Sequence, residues 1–577
     1  MEWKFYKEGI LESPQNAAIK DFSKQLYESI VRESVQNSLD NPGNISAPVK
    51  VKFELSTVNR SIIPGWYNLI DHYVSTKSYW INEYSHLFKD IDSKIDQFGQ
   101  NIPVLKISDY NTTGMDLENI DIRKTGYYAF TRGNHSHKSS SSSGGSEGQG
   151  KATFFAASAI HTFYLHTINK HGSIYEGLTY LASHEYNGNM NHARGYLTEH
   201  TIDQPGYEEY ENDETHYFRR TQHDGFGTTI TVVGFKDLSI EDRKLKLIKS
   251  CLRNFWFAIN DGLLELEVDD VSITRETVKS QIHHYLPERT ESTHAKNNPE
   301  EYGTVLSYFE TWNALNEVGC QEYEKNLPSL GKCILKLHTH EEYPGKVAFF
   351  RKQKMLITKS PRGLIGKGYC GVFICLGEEG NEILRKMEGK THTEWNPDYC
   401  LSDNDKLVAK KAYKEMIDFI NESWEDYSKQ HLPDSINLKG LNAIVNDRKK
   451  VLTKKTVANE FDLPNKKAKH QSEFKKQGFI KKELSSTIDN NDWLYKLKVK
   501  SNRQSEVFII IKPASESPKT KKEENINITF AVCNDMECEK DANVIKALFM
   551  VGENNVIFRT NFKVRTAFNI TIEPNEK

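Results

Sequence analysis

Residues able to do chemistry recur in four short segments of this 577-residue chain. The first is Arg32-Glu33-Ser34-Val35-Gln36-Asn37-Ser38-Leu39-Asp40. Glu33, Asn37 and Asp40 stand at i, i+4 and i+7, which puts three side chains on one face of a helix. A carboxylate on that face can take a proton from an attacking water. The Asn37 amide oxygen suits Mg²⁺, a hard cation that selects oxygen ligands. An ordinary solvated face has the same spacing, with Val31, Val35 and Leu39 opposite. Against that, the stripe Phe22, Leu26, Ile30 leads directly into Glu33 and Asn37 and turns them toward the interior.

The second segment, Asp109-Tyr110-Asn111-Thr112-Thr113-Gly114-Met115, follows a short apolar strand. A carboxylate at a strand end can accept a hydrogen bond from an exocyclic amine such as adenine N6. Gly114 permits close backbone approach. A loop Asp capping its own turn is the plain alternative. The third is Gly144-Gly145-Ser146-Glu147-Gly148-Gln149-Gly150-Lys151. Its glycines expose backbone N–H groups, and Lys151 opens an apolar helix whose N-terminus favours phosphate. A Walker-type loop would need Ser or Thr where Ala152 stands, and would follow a strand rather than a serine tract. A flexible linker is the third possibility. The fourth, Gly227-Thr228-Thr229, opens a β-branched run in which a hydroxyl can reach a base; β-propensity alone also accounts for it.

The elements that must position these groups follow from periodicity. Ile19, Phe22, Leu26 and Ile30 predict one amphipathic helix running to Asp40, stopped by Asn41-Pro42-Gly43. Val49–Leu55, Val104–Ser108 and Gly227–Phe235 predict strands, Ile62–Gln97 a helical insert, and Lys151–His166 a buried helix. A second α/β stretch carries strand candidates at Leu263–Val268, Leu335–His338, Val347–Phe350 and Val372–Leu376, closed by a helix over Asn404–Tyr427. Lysines crowd residues 447–482, and from Trp493 onward alternation predicts a small all-β domain.

Taken in this order, the four segments resemble the GHKL superfamily, named for gyrase, the heat-shock chaperone, histidine kinases and MutL, over about residues 20–235. The resemblance implies an α+β fold: a Bergerat-type ATPase layer sandwich at 1–235, a transducer-like α/β domain at 236–430, a basic linker or helical segment at 431–490 and a C-terminal β domain at 491–577. Arg-Glu-x-x-x-Asn-x-x-Asp looks like the family's N box. By that likeness Glu33 activates water, Asn37 binds Mg²⁺ and Asp40 supports the adenine side. Asp109 reads adenine, with Gly114 and Met115 in the second box. Gly145, Gly148, Gln149, Gly150 and Lys151 form the glycine-rich lid, Lys151 stabilising phosphate charge, and Thr228 or Thr229 is the final threonine. The implied cofactors are ATP and Mg²⁺.

The family pattern is broken in two places. Its second box usually reads Asp-x-Gly-x-Gly, whereas Asn111 stands near the first glycine here with an extra threonine; Asn adopts the left-handed conformation more readily than most residues. Glu147 stands where an aromatic is common. Transducers send a basic residue to the γ-phosphate, for which Arg351, Lys352 and Lys354 are candidates, a solvated basic turn being the alternative. With the candidate domain beginning near residue 20, a histidine-kinase arrangement is not expected. The short lid looks most like MORC-type bacterial proteins. That likeness implies a nucleotide-gated homodimer in a nucleic-acid-related or antiphage setting, with DNA and a separately encoded nuclease or effector as partners. A chaperone-like ATPase is the alternative.

Bulk composition sets limits. Net charge is −3 and mean hydropathy −0.64, so any polyanion must be met by a local patch. Met1–Lys20 has no apolar h-region and no run approaches bilayer length, so neither a signal peptide nor a membrane is expected. Eight scattered cysteines suit free thiols in a cytoplasmic protein.

Overall fold

Two breaks in chain periodicity define the site-bearing region. The computed structural model describes residues 2–7, 9, 11–133, 150–208, 216–236, 239–289, 305–314, 317–359, 365, 368–389, 393–431, 479–489, 492–501, 504–513, 527–534, 536–561 and 568–574. The helix expected to run unbroken to Asp40 is two helices, α1 (Ala17–Ser23) and α2 (Leu26–Leu39). Asn16 caps α1 by accepting from the Ala18 and Ile19 N–H groups, and the chain turns at Lys24–Gln25. Continuous apolar spacing across the turn conceals the break, because both helices bury the same stripe. At the far end Asn41 Nδ2 donates to the Asn37 carbonyl at 2.9 Å, and Pro42 lacks the N–H that another turn would need.

The second break lies after Ala157. Lys151–His166, expected as one buried helix, is helical only over Ala152–Ala157; Ser158–Asn169 is a strand. That strand is buried on both faces, so its apolar run shows no alternation, and periodicity cannot separate a buried strand from a buried helix.

The strands of the first sheet are β1 (Trp3–Lys7), β2 (Val49–Asn59), β3 (Asn101–Tyr110), β4 (Ser158–Asn169), β5 (Gly172–Tyr180), β6 (His184–Tyr186), β7 (Asn189–Leu197), β8 (Gly227–Phe235), β9 (Leu264–Val268) and β10 (Val271–Ile273). Their order is β1-β7-β5-β4-β8-β3-β2-β9-β10, with β6 paired to β7. β3, β8 and β4 are antiparallel neighbours, so Ser108 faces Thr229 and Thr167 faces Thr228 in register. The sheet does not stop at residue 235. β9 pairs in parallel with β2, and the intervening helix Ile240–Asn260 packs on α2. Trp66–Phe98, between β2 and β3, is a long helix, as its composition predicts. Ile30, Val31 and Val35 of α2 are fully buried in the main core. Each such side chain is worth about 1.5–3 kcal/mol relative to exposure.

A second five-stranded sheet takes in Gln321–Leu327, Gly331–Thr339, Lys346–Phe350, Leu356–Lys359 and Tyr369–Cys375, with the helix Asp403–His431 after it. Residues Met1–Leu452 form one compact unit and Thr453–Lys577 another. The second unit is all-β among the described residues, with two sheets and a core including Leu497, Val507, Ile509 and Phe558. Of the lysine-rich stretch, all but residues 479–482 lies outside the described residues. No helix among the described residues is long and apolar enough to cross a membrane, and all eight cysteines are free.

Candidate functional site

The last turns of α2, the end of β3 and the start of β8 converge on a cavity of about 320 Å³, within the range of small-molecule sites. Asn37, Asp109, Gly114, Met115 and Thr228 line it, together with Ser34, Ser38, Lys124 and the apolar side chains of Val51, Ile107, Phe130, Phe154 and Ile230.

Asp109 is held from three sides. Its Oδ1 accepts from the Thr228 N–H at 2.7 Å and from Thr112 Oγ1 at 2.7 Å, and its Oδ2 accepts from Ser38 Oγ at 3.0 Å. The turn that aims it uses the left-handed residue anticipated from its type: Asn111 has φ 55°. The Asn111 side chain stitches the turn to the loop after α2, accepting from the Asn44 N–H and donating to the Asn44 and Ala47 carbonyls. Gly114 has φ 67°, and a Cβ there would overlap the Ile168 carbonyl. Beside it, Thr167 Oγ1 accepts from the Met115 N–H at 2.8 Å and meets Thr228 Oγ1 at 3.1 Å. Thr229 points away from the cavity lining, pairing with Ser108 Oγ at 2.9 Å and with Arg220, whose guanidinium lies over the Tyr110 ring.

On α2, Glu33 and Asn37 are neighbours as their spacing requires: Asn37 Nδ2 donates to Glu33 Oε1 at 2.8 Å. Both are half-buried. Gly150 packs directly on Glu33, so that a Cβ on Gly150 would overlap the carboxylate. Asp40 is the C-cap of α2 and does not line the cavity. Lys151 does not line it either. Its ammonium is buried and donates to the Gly133 carbonyl at 2.6 Å and the Thr131 carbonyl at 3.2 Å. Burial, with the charges of Arg194 and Arg132, pushes its pKa well below the ordinary lysine value. Gly145, Gly148 and Gln149 lie outside the described residues.

The three basic candidates near residue 350 are each matched to a carboxylate. Arg351 forms a buried pair with Glu388, Nε to Oε1 at 2.5 Å, and Trp395 Nε1 donates to the same oxygen. Lys352 pairs with Glu378 and Lys354 with Asp261. None of the three lines the cavity. What ties the second sheet to α2 is Arg32, whose Nη1 donates to the Leu356 carbonyl at 2.8 Å and to Asn254 Oδ1 at 2.5 Å.

Several wall residues have no motif behind them. Ser34 is 7% exposed, lines the cavity, and its hydroxyl finds no hydrogen-bond partner among the described residues. Its one legible signal is the i, i+4 spacing from Ser38 on the same face. Ser38, Thr112 and Thr167 are equally silent in sequence, because a short hydroxyl side chain gains meaning only from what it faces.

No family model matches the chain, and no curated protein does. Solved structures do align with it. The crystal structure of the 43K ATPase domain of Thermus thermophilus gyrase B, in complex with an aminocoumarin, is 9% identical, with 64% of this chain and 92% of that chain covered at a TM-score of 0.25. The B-subunit of the DNA gyrase from Myxococcus xanthus is 9% identical, with 70% and 90% covered at a TM-score of 0.26.

Proposed function

We propose that the chain binds ATP with Mg²⁺ in this cavity and hydrolyses it, as a GHKL-type ATPase. The observation that carries this is Asp109, aimed by Ser38, Thr112 and Thr228 into a partly apolar cavity that is also lined by Asn37, which in turn donates to Glu33. An ionised carboxylate has about four lone-pair sites. Three are taken by the protein, which leaves one on Oδ2 for an exocyclic amine. Phe130, Phe154, Ile107 and Ile230 supply apolar walls for a flat heterocycle. The buried Ser34 hydroxyl, without a partner among the described residues, suits a polar group of a ligand, since an unmade buried hydrogen bond is costly.

Asn37 fits the metal. Its nitrogen is committed to Glu33, so its Oδ1 is the atom left to face a cation. Mg²⁺ uses one or two protein oxygens and completes its shell with water and phosphate. When bound, it supplies charge neutralisation on the phosphates. Glu33, steadied by the Asn37 amide, orients water and takes its proton, a role worth about 10²–10⁴ in rate. Lys124, exposed on the cavity lining, is the lysine we assign to phosphate.

The wider setting we propose is a homodimer gated by nucleotide, MORC-like in its short lid, acting with DNA and a separately encoded effector in defence. It rests on the sequence resemblance alone. The direct test of the activity is phosphate release from ATP by the full chain with and without Mg²⁺. Mg²⁺-dependent release is expected, and its absence at saturating ATP would remove the proposal.

A further inference from the structure

The motif reading sends Lys151 to the phosphates, yet its ammonium is turned the other way. It is 5% exposed and bonded to the carbonyls of Thr131 and Gly133. Thr131 ends the helix Gly126–Thr131, and the last carbonyls of a helix lack intrahelical donors. A cation at that end satisfies them and meets the negative end of the helix dipole. The surroundings are built around this contact. Arg132, between the two acceptors, is itself committed: its Nη2 donates to Glu176 Oε1 at 2.6 Å and its Nε to the Ile202 carbonyl at 3.0 Å. Tyr127 Oη donates to Glu176 Oε2 at 2.6 Å. The cluster's carboxylate is therefore occupied, and Lys151 is left to hold backbone.

Gly150 precedes Lys151 and carries the other half of the argument. Its Cα rests so closely on Glu33 that no side chain fits between them. Glu33 is thereby held between the Asn37 amide on one side and the Gly150 backbone on the other. Whatever fixes Gly150 fixes the wall that Glu33 leans on, and the anchored neighbour is Lys151.

We propose that Lys151 is a positioning residue for Glu33, acting through Gly150, and makes no contact with phosphate. This rests on the ATPase reading of the cavity. Loss of the amine strips the Gly133 carbonyl of this donor, leaves the Thr131 carbonyl only the Tyr196 hydroxyl at 3.4 Å, and frees Gly150 to shift. A misplacement of about 1 Å at a catalytic group costs about 10²-fold in rate, and the binding groups Asp109 and Asn37 stay where they are.

The test uses the full chain, with the wild type and the variants K151M and G150A. MgATP affinity is read by displacement of a fluorescent nucleotide, and the chemical step by single-turnover hydrolysis. Both variants are expected to keep the wild-type Kd within about three-fold and to lose about 10²-fold in the single-turnover rate. The double variant is expected to lose no more than the worse single, because both act on one contact. K151M that weakens MgATP binding ten-fold or more while the rate at saturation is unchanged would overturn the proposal and leave the ATPase reading standing. Should K151M unfold, G150A decides: a wild-type rate in it severs the link to Glu33. A wild-type chain that neither binds nor hydrolyses ATP would remove the ATPase reading and the proposal with it.

Discussion

Replacing Asp109 by Asn isolates base recognition from folding. The Thr228 N–H cannot reverse its polarity, so the amide oxygen of D109N must occupy the Oδ1 position and keep the bonds from Thr228 and Thr112. The new NH₂ then takes the Oδ2 position opposite Ser38, whose hydroxyl can rotate to accept. The protein network survives, and the cost to stability is about 1 kcal/mol. For the ligand the change is larger. The atom that accepted an exocyclic amine becomes a donor facing a donor. A charge-assisted hydrogen bond worth about 1.5–3 kcal/mol is lost, and an unsatisfied pair adds about 1–3 kcal/mol. Taking about 3–4 kcal/mol in total, at about 1.4 kcal/mol per factor of ten, ATP affinity falls by about 10²–10³-fold. A purine nucleotide with a carbonyl in place of the amine gains an acceptor opposite that NH₂, so the preference for ATP over GTP shrinks at least ten-fold. The assay is competitive displacement of a fluorescent nucleotide from full-length wild type and D109N, with thermal unfolding as the control for folding. D109N that folds and binds ATP within about three-fold of wild type would refute the assignment of Asp109 to the base.

K124A should raise the KM for ATP about ten-fold while leaving the affinity for adenosine unchanged, since only the phosphates meet that lysine; equal effects on both ligands would exclude the assignment. E388A strands the buried Arg351 guanidinium and removes the acceptor of Trp395, and should cost about 3–5 kcal/mol in a denaturant titration, most of it recovered in R351M/E388A; a loss under 1 kcal/mol would mean that the pair is not buried in solution. Stability should also fall between pH 7.5 and 5. His166 Nδ1 accepts from the Arg220 N–H at 2.6 Å, and burial, with the charges of Arg219 and Arg220, pushes its pKa down to about 3. A histidine held below its unfolded pKa of about 6.5 contributes fully above that pH and loses its contribution as pH falls toward the folded value, so at pH 5 about 2 kcal/mol is gone. H166Q should remove that part of the drop in denaturation midpoint; an undiminished drop would show that His166 is not its source.

The sequence shows most plainly those features that local periodicity or local chemistry imposes. Strand Gly227–Phe235 has the bounds its β-branched run predicts, Glu33 and Asn37 meet because a helix brings i and i+4 together, and Asn111 is left-handed as an Asn in that turn can be. What was hidden depends on distant partners. The end of the helix Ala152–Ala157 is invisible because both the helix and the following strand are buried all round. Strand Leu264–Val268 reads correctly as a strand, but its pairing with Val49–Asn59 is a tertiary choice that places it in the first sheet and not the second. Lys151 follows a run of glycines and so reads as a phosphate ligand; only the carbonyls of Thr131 and Gly133, about twenty residues earlier, reveal where the ammonium goes. Ser34 carries no motif at all, and its interest lies in being buried on a cavity lining without a partner among the described residues.

The measurement closest to the centre of this account separates binding from chemistry at Glu33. MgATP affinity and single-turnover hydrolysis are measured side by side for the full-length wild type and E33A. Glu33 does not line the cavity itself but stands at its edge beside Asn37, so the Kd should change by less than about three-fold while hydrolysis falls by about 10²–10⁴-fold. E33A that hydrolyses bound ATP at the wild-type rate would contradict the assignment of Glu33 to the attacking water, and with it the mechanism proposed for this chain.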